Sequence, residues 1–292
     1  MRSRPRNPMA KQLLWLVLLA GCAPEPRNPG PAAPPAESRR TRVLYVENYP
    51  RWEYRYLHNA LVRDTSFDTH CFLVSADPSF PQPHSLKPED PTFAEPLWKL
   101  PATLEALLKY DVVILGDVGP DSWPAVGALL EKFVADHGRG LILIAGEEHM
   151  PKKWKGTELE ATLPVETLED ATGDNAESGF HLTEAGKRSP LVALASDGNA
   201  ILELWEDSDG KGDGLKHLQW VLLTRCKSAA QTLVETGPGT ERAPLFVTAQ
   251  HGKGRVFFSA TDETWRWRYR TGDEPHFLPF WRRVIEWAGH GE

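Results

Sequence analysis

Four short runs made almost wholly of apolar residues, separated by stretches with helical spacing, constrain this chain more than any other feature. The first is Val43-Leu-Tyr-Val46; residues 69–75, Val112-Val-Ile-Leu115 and Leu141-Ile-Leu-Ile-Ala145 follow. Runs this short with no polar side fit strands covered on both faces. Between them, Trp52, Tyr56, Leu57, Ala60 and Leu61 recur at helical spacing, then Leu104, Leu107 and Leu108, then Val126, Leu129, Leu130, Phe133 and Val134. Glu53 falls in a first turn, where the helix dipole favours an acid. Pro101 opens the second helix, Pro124 fits the first position of the third, and Gly138 terminates it. The resulting order, β-α-β-α-β-α-β, predicts a doubly wound α/β domain: a mostly parallel sheet with right-handed crossovers and helices on both faces. Residues 78–101, rich in proline, are expected to loop over the rim of that sheet.

Beyond residue 150 the pattern changes. From Pro151 to about Glu241 the chain is polar and Gly-rich, with short runs at Leu191–Leu194 and Ala200–Trp205. This predicts an irregular insert over about 151–243, made of loops and a few antiparallel strands. Leu245–Ala249 and Arg255–Ala260, joined through His251-Gly-Lys-Gly254, then read as an antiparallel hairpin near the C-terminus. Phe277 to Ala288, with Phe280, Trp281, Val284 and Ile285 at helical spacing, predicts a final helix.

At the other end, a basic stretch precedes Leu13–Ala20, an apolar run of eight residues where a membrane span needs about twenty. It reads as a signal peptide over 1–21. Leu19-Ala-Gly-Cys22 looks like a bacterial lipobox, which makes Cys22 the lipidated residue and the membrane a partner through that anchor. The expected location is the cell envelope, on the periplasmic face of the outer membrane if the host is a diderm bacterium. Residues 22–40 form a Pro-rich linker, extended and unable to bury a core, so the folded domain is expected over 41–292. Without Arg2, Arg4, Arg6 and Lys11 the net charge of -7 becomes -11, and an acidic body argues against a nucleic-acid partner.

Besides Cys22 there are Cys71, in a predicted buried strand, and Cys226. Neither has metal-ligand spacing, and sequence cannot say whether they pair. The loop Asp207–Gly214 resembles a calcium loop at its first two ligands only, since Lys211 and Leu218 occupy later ligand positions. His251–Arg255 lies between two β-runs and opens no helix, so it is a hairpin turn and not a phosphate loop. No dinucleotide or Walker fingerprint follows a strand; neither a cofactor nor a metal is expected.

Chemistry-bearing residues gather after the apolar runs. Glu47, Asn48, Tyr49 and Arg51, with Trp52, follow the first; Asp117 follows the third; Glu147, Glu148 and His149 follow the fourth. After Val256-Phe-Phe258 come Asp262, Glu263, Trp265, Arg266, Trp267 and Arg268. In a parallel sheet these groups converge on one edge, where open α/β sheets place their ligand crevice. Three readings are open. Arg51, Arg266 and Arg268 can pair with the acids around the tryptophans as an internal network. The same groups can form a ligand or partner site, arginine facing an anion and tryptophan offering a stacking surface. Paired carboxylates such as Glu147 and Asp262 can instead hydrolyse a substrate.

Several segments in order resemble a known family: RVLYVENYPRWEYRYL, DVVILGDV, GLILIAGEEHMP, HGKGRVFF, and TDETWRWRY followed by FWRRVIEWA. Together they look like the class I glutamine amidotransferase-like domain of bacterial envelope proteins, often found beside von Willebrand A-type modules. The resemblance implies a flavodoxin-like fold over residues 41–290 and envelope proteins with such modules as partners. It also implies a nucleophilic cysteine in the turn after the central strand, with a late His-Glu pair. The matching turn here, Ala145-Gly-Glu-Glu-His149, has no cysteine, and no His-Pro-Glu stands near the end. The covalent thioester route is therefore closed, and the expectation is a binding or scaffold protein. The alternative is a hydrolase or a glycan- or small-ligand-binding protein using the crevice carboxylates and tryptophans.

Overall fold

The computed structural model describes residues 39–168, 173–174, 179–206, 214–215, 218–237, 242–268 and 275–290. The expected signal peptide, Cys22 and nearly all of the linker lie outside these residues, as do Asp207 to Asp213 of the acidic loop. The folded unit begins at Arg39, two residues ahead of the expected boundary. Arg39 and Arg40 belong to it because they have partners there: Arg39 Nη2 donates to Asp111 at 2.8 Å and Arg40 Nη1 to the Lys87 carbonyl at 2.6 Å.

Strands β1 (Thr41–Glu47), β2 (Phe67–Leu73), β3 (Val112–Leu115) and β4 (Gly140–Ile144) alternate with helices α1 (Trp52–Leu61), α2 (Leu104–Leu107) and α3 (Val126–Ala135). The third helix starts two residues after Pro124, because Ala125 takes a left-handed φ of 61° and only then does the chain turn helical. The insert proves more regular than expected. It contributes β5 (Val165–Thr167), β6 (Gly173–Asp174), β7 (Phe180–Leu182), α4 (Glu184–Arg188), α5 (Gly198–Glu206), β8 (Val221–Leu222), β9 (Thr224–Cys226) and β10 (Ala230–Thr236). The apolar run at 200–205 is thus helical, and it buries Leu204 and Trp205. The hairpin follows as β11 (Ala243–His251) and β12 (Gly254–Ser259), then α6 (Phe277–Gly289).

Eight of these strands form one sheet in the order β2-β1-β3-β4-β12-β11-β10-β7. The first five are mutually parallel and the last three join antiparallel. The sheet is therefore mixed, with its larger part parallel, and the insert supplies two of the antiparallel strands. Both faces of β12 are covered: Phe257 meets Phe280 and Trp281 of α6, while a side chain at Gly254 would strike the α3 backbone at Val134. Burial on two faces is why Val112–Leu115, Leu141–Ile144 and Val256–Phe258 are apolar throughout and wholly inaccessible. An edge-to-face cluster of Phe180, Trp205, Phe246, Trp267 and Phe280 extends this core toward the antiparallel end.

Register fixes what the sheet presents. Val46 lies opposite Leu115, Leu115 opposite Leu143, and Phe258 opposite Leu143 on the other flank. Four parallel strands thus end level, and the segments after them emerge side by side.

Candidate functional site

The carboxyl ends of β1, β3, β4 and β12 enclose a cleft of about 680 Å³. Its floor is built from the first strand. Glu47, fully buried, accepts the Asn48 and Asp117 N–H groups on Oε1 at 3.0 and 2.9 Å. Its Oε2 accepts Arg51 Nη2 at 2.8 Å. Room for this carboxylate exists because residue 116 is glycine: a Cβ there would lie 2.2 Å from Glu47 Oε2. Arg51 Nη1 donates onward to the Ala145 carbonyl at 2.8 Å and to Asp262 Oδ2 at 2.9 Å. One guanidinium therefore ties together the ends of β1, β4 and β12.

Asp117 does the same for the turn after β4. Its carboxylate accepts the N–H groups of Glu148, His149 and Met150 at 3.0, 2.7 and 2.7 Å. Gly146 permits that approach, since a Cβ would fall 2.1 Å from Asp117 Cγ. The turn leaves Glu147 and Glu148 exposed and His149 half-buried at the cleft. From β12, Glu263 Oε2 accepts the Trp220 N–H at 2.9 Å and the Gln219 N–H as well. Thr261 Oγ1 donates to the Trp220 carbonyl at 2.7 Å, so the 219–220 segment is clipped onto the end of β12.

Burial sets the titration of the site. It raises the Glu47 carboxyl against the pull of Arg51 and two N–H donors, and raises Asp262 against the same guanidinium. Burial would lower Arg51, but Glu47 and Asp262 more than offset it and hold its proton firmly. Beneath the cleft, Glu53 in the first turn of α1 is pushed up to about 7 by burial. Its carboxylate accepts Thr264 Oγ1 at 2.6 Å, the Trp265 N–H at 3.2 Å and Trp281 Nε1 at 3.1 Å.

Of the residues expected from sequence, Asn48, Tyr49, Arg51, Trp52, Asp117, Glu147, Glu148, His149, Asp262, Glu263 and Trp265 line this cleft, with Glu47 directly behind. Three others do not. Trp267 is 2% exposed and packs against Trp205, Phe246 and Phe280, so it belongs to the core. Arg268 lies 4.1 Å over the Tyr56 ring and lines a separate groove. Arg266 sits beside the cleft, donating to Gln219 Oε1 at 3.0 Å with its guanidinium 5.7 Å from the Trp265 ring. Arg51, the arginine lining the cleft, is engaged within the protein by Glu47, Asp262 and the Ala145 carbonyl. Sequence reasoning missed Trp220 and the anchoring role of Glu53. An aromatic directly before the apolar Val221-Leu-Leu run was the available signal for Trp220.

The bend after β4 holds no cysteine. Cys71 is buried in β2, where burial pushes its thiol well above the ordinary range, and Cys226 lies in β9; both are free. Among the described residues, no group of three or more His, Cys, Asp or Glu side chains is placed to hold a metal ion. What the cleft offers is a set of aromatic faces and a surplus of carboxylates. Among the described residues, five carboxylates line it (Asp117, Glu147, Glu148, Asp262, Glu263) against the Arg51 guanidinium. Tyr49 and Trp52 are 66% and 53% exposed, and Trp52 meets Trp265 at 5.7 Å between ring centroids.

No protein-family model and no curated protein matches the chain. Solved structures do. A cytoplasmic protein of Salmonella typhimurium LT2 is 18% identical with a TM-score of 0.57, over 85% of this chain and 99% of that one. A second cytoplasmic protein of Salmonella typhimurium is 14% identical with a TM-score of 0.56, over 85% and 98%. A ThuA-like protein of Bacteroides uniformis is 9% identical with a TM-score of 0.49, over 87% and 95%. At these identities the first two support a shared α/β fold and nothing finer. None of the three is described as a glutamine amidotransferase or as carrying a von Willebrand module. Among the described residues, no helix is long and apolar enough to cross a membrane. Both Salmonella proteins are described as cytoplasmic, which runs against the expected lipid-anchored, cell-envelope location, and that expectation is withdrawn.

Proposed function

We propose that this chain is a ligand-binding domain on a flavodoxin-like framework of the amidotransferase type, one that has no thiol nucleophile and takes a saccharide in the cleft at its sheet edge. The strand order β2-β1-β3-β4, continued by a fifth parallel strand, supports the framework. The cleft's position supports the binding role, because it spans the β1/β3 boundary at which successive connections leave in opposite directions.

One observation carries the ligand class. Among the described residues, the exposed rings of Tyr49 and Trp52 stand in a cleft whose accessible charge is carboxylate, while the Arg51 guanidinium is enclosed by partners. Flat aromatic faces take the apolar face of a pyranose, and carboxylates accept its hydroxyls. An anionic ligand would meet Glu147 and Glu148 first. The turn after β4 is shaped by Asp117 and not by an activated nucleophile.

Titration of a panel of neutral mono- and oligosaccharides, followed by calorimetry, tests the proposal. A saturable ligand should emerge, and Trp52→Ala should weaken it about tenfold or more, as expected for a stacking anchor, with only a small change in the melting temperature. Absence of binding across the panel would sink the reading. Turnover of a glycoside that disappears in Glu147→Gln would instead favour the hydrolase.

A further inference from the structure

A cavity of about 460 Å³ lies between the middle of β2, the segment 92–103 and the residues 106–110 that lead toward β3. It shares no lining residue with the acidic cleft. Phe93, Pro96, Leu97, Leu100, Pro101 and Ala106 give it apolar walls, and His70 and Tyr110, 7% and 4% exposed, are its buried polar members. Ring packing holds that end in place: His70 stacks on Phe93 at 4.4 Å between centroids, and Tyr110 meets Phe93 edge-on at 5.7 Å. The segment beside it is tied at both ends. Asp68 accepts the Glu89 and Asp90 N–H groups at 2.9 and 2.8 Å, and Trp123 Nε1 donates to the Pro101 carbonyl at 2.9 Å. The cavity is therefore preformed, with the volume and the apolar lining that small-molecule sites have.

Hydrogen bonding at the buried end fixes what it can recognise. His70 Nε2 lies 3.1 Å from the Glu95 carbonyl, which only accepts, so the ring proton is on Nε2. Burial lowers this imidazole to about 4, which keeps it neutral and leaves Nδ1 bare. The Tyr110 hydroxyl, 2.9 Å from Nδ1, must then donate to it. Its proton is committed, and its oxygen keeps lone pairs for a further donor. Among the described residues that line the cavity, the charged ones are Glu95, Lys99 and Lys109, and all three are exposed. An ionised ligand would leave water without a buried counter-charge, whereas an uncharged ligand with a single donor is matched.

We propose that this cavity binds a small, uncharged, largely apolar molecule carrying one hydroxyl group, its apolar body against Phe93, Leu97 and Leu100 and its hydroxyl donating to the Tyr110 oxygen. The site is independent of the saccharide cleft, since neither its walls nor its polar end involve a residue of that cleft.

The test uses the full chain with phenol as probe and fluorobenzene, of similar size but without a donor, as its control. Calorimetric titration and the melting temperature are both read. Phenol should bind saturably, raise the melting temperature and bind about tenfold tighter than fluorobenzene, the difference that one hydrogen bond makes in a buried site. Through the Tyr110 hydroxyl it should also move the His70 Nδ1 resonance in nitrogen NMR by more than fluorobenzene does. Ala106→Leu on α2 and Leu97→Trp on the neighbouring segment fill the space from different elements, and each should abolish binding. Melting of the ligand-free variants shows which of them folds, and either one suffices. Trp52→Ala should leave phenol binding intact, which separates failure here from failure of the saccharide reading. No saturable response to phenol, equal affinity for phenol and fluorobenzene, undiminished binding in a folded filling variant, or loss of binding in Trp52→Ala would each overturn the site.

Discussion

Glu53 is the residue on which the site's geometry and the protein's pH dependence meet. It is fully buried, and its carboxylate fixes Thr264, Trp265 and Trp281 through three donors. Because burial raises it from 4.5 to about 7, the native state holds a proton that the unfolded chain has already released across that interval. Stability therefore falls as pH rises from about 4.5 to about 7, by an amount on the order of 3 kcal/mol from this group alone. Glu53→Gln should remove that slope whatever its effect on the baseline, which denaturant unfolding at a series of pH values would reveal; an unchanged slope would refute it. Gly116 makes a different kind of demand. With Glu47 Oε2 only 2.2 Å from where a Cβ would stand, Gly116→Ala must displace a buried carboxylate from its Arg51 partner. A loss of about 3 kcal/mol or more is expected from the same unfolding measurement.

At the scale of the element, the turn Thr264–Arg268 explains why one cluster in sequence serves three places. It is a 3₁₀ turn, with three residues per revolution, so Trp265 and Arg268, one turn apart, leave on the same side against Tyr56 of α1 while Trp267 leaves on another. Trp265 reaches the cleft, Trp267 the core and Arg268 the groove by α1. Trp267→Ala should accordingly cost about 3–5 kcal/mol of stability, the range for a large buried aromatic. Trp52→Ala should cost less than about 1 kcal/mol, because its side chain is mostly in water. Parallel melting curves of the two variants would check the ordering. The hairpin of β11 and β12 was legible because it rests on local alternation and a glycine turn. The strands β7 and β10 were not, since what makes β10 a strand is the β11 edge it joins, and β7 is a strand only by joining β10.

For the whole molecule, the two edges of the sheet carry opposite electrostatic problems. At the amino edge, Asp111 is 3% exposed and takes donors from Arg39, Arg42 and Arg139. Burial would raise its carboxyl, but the Arg42 hydrogen bonds and the other guanidinium groups carry it below the usual range. A depressed carboxyl stabilises the fold above its unfolded pKa and loses that contribution as pH falls through the folded one. Asp111→Asn should thus lower stability at neutral pH and flatten the acid limb of the profile, whereas Glu53→Gln flattens the limb above pH 4.5. The same division separates architecture from chemistry: the amino edge holds the sheet together, and the carboxyl edge gathers the cleft.

The sequence by itself determined the β-α alternation from Val43 to Ala145, the late hairpin and the last helix, because apolar periodicity is a local property that packing on two faces merely uses. It also placed eleven of the cleft residues at the sheet edge, since strand ends follow from strand positions. Only the tertiary structure decided which charges are spent and which face a ligand. Arg51 meets Asp262 across 211 residues of chain, and Thr264 meets Glu53 across the same distance. Such choices of partner depend on register between distant strands, and no local pattern encodes them.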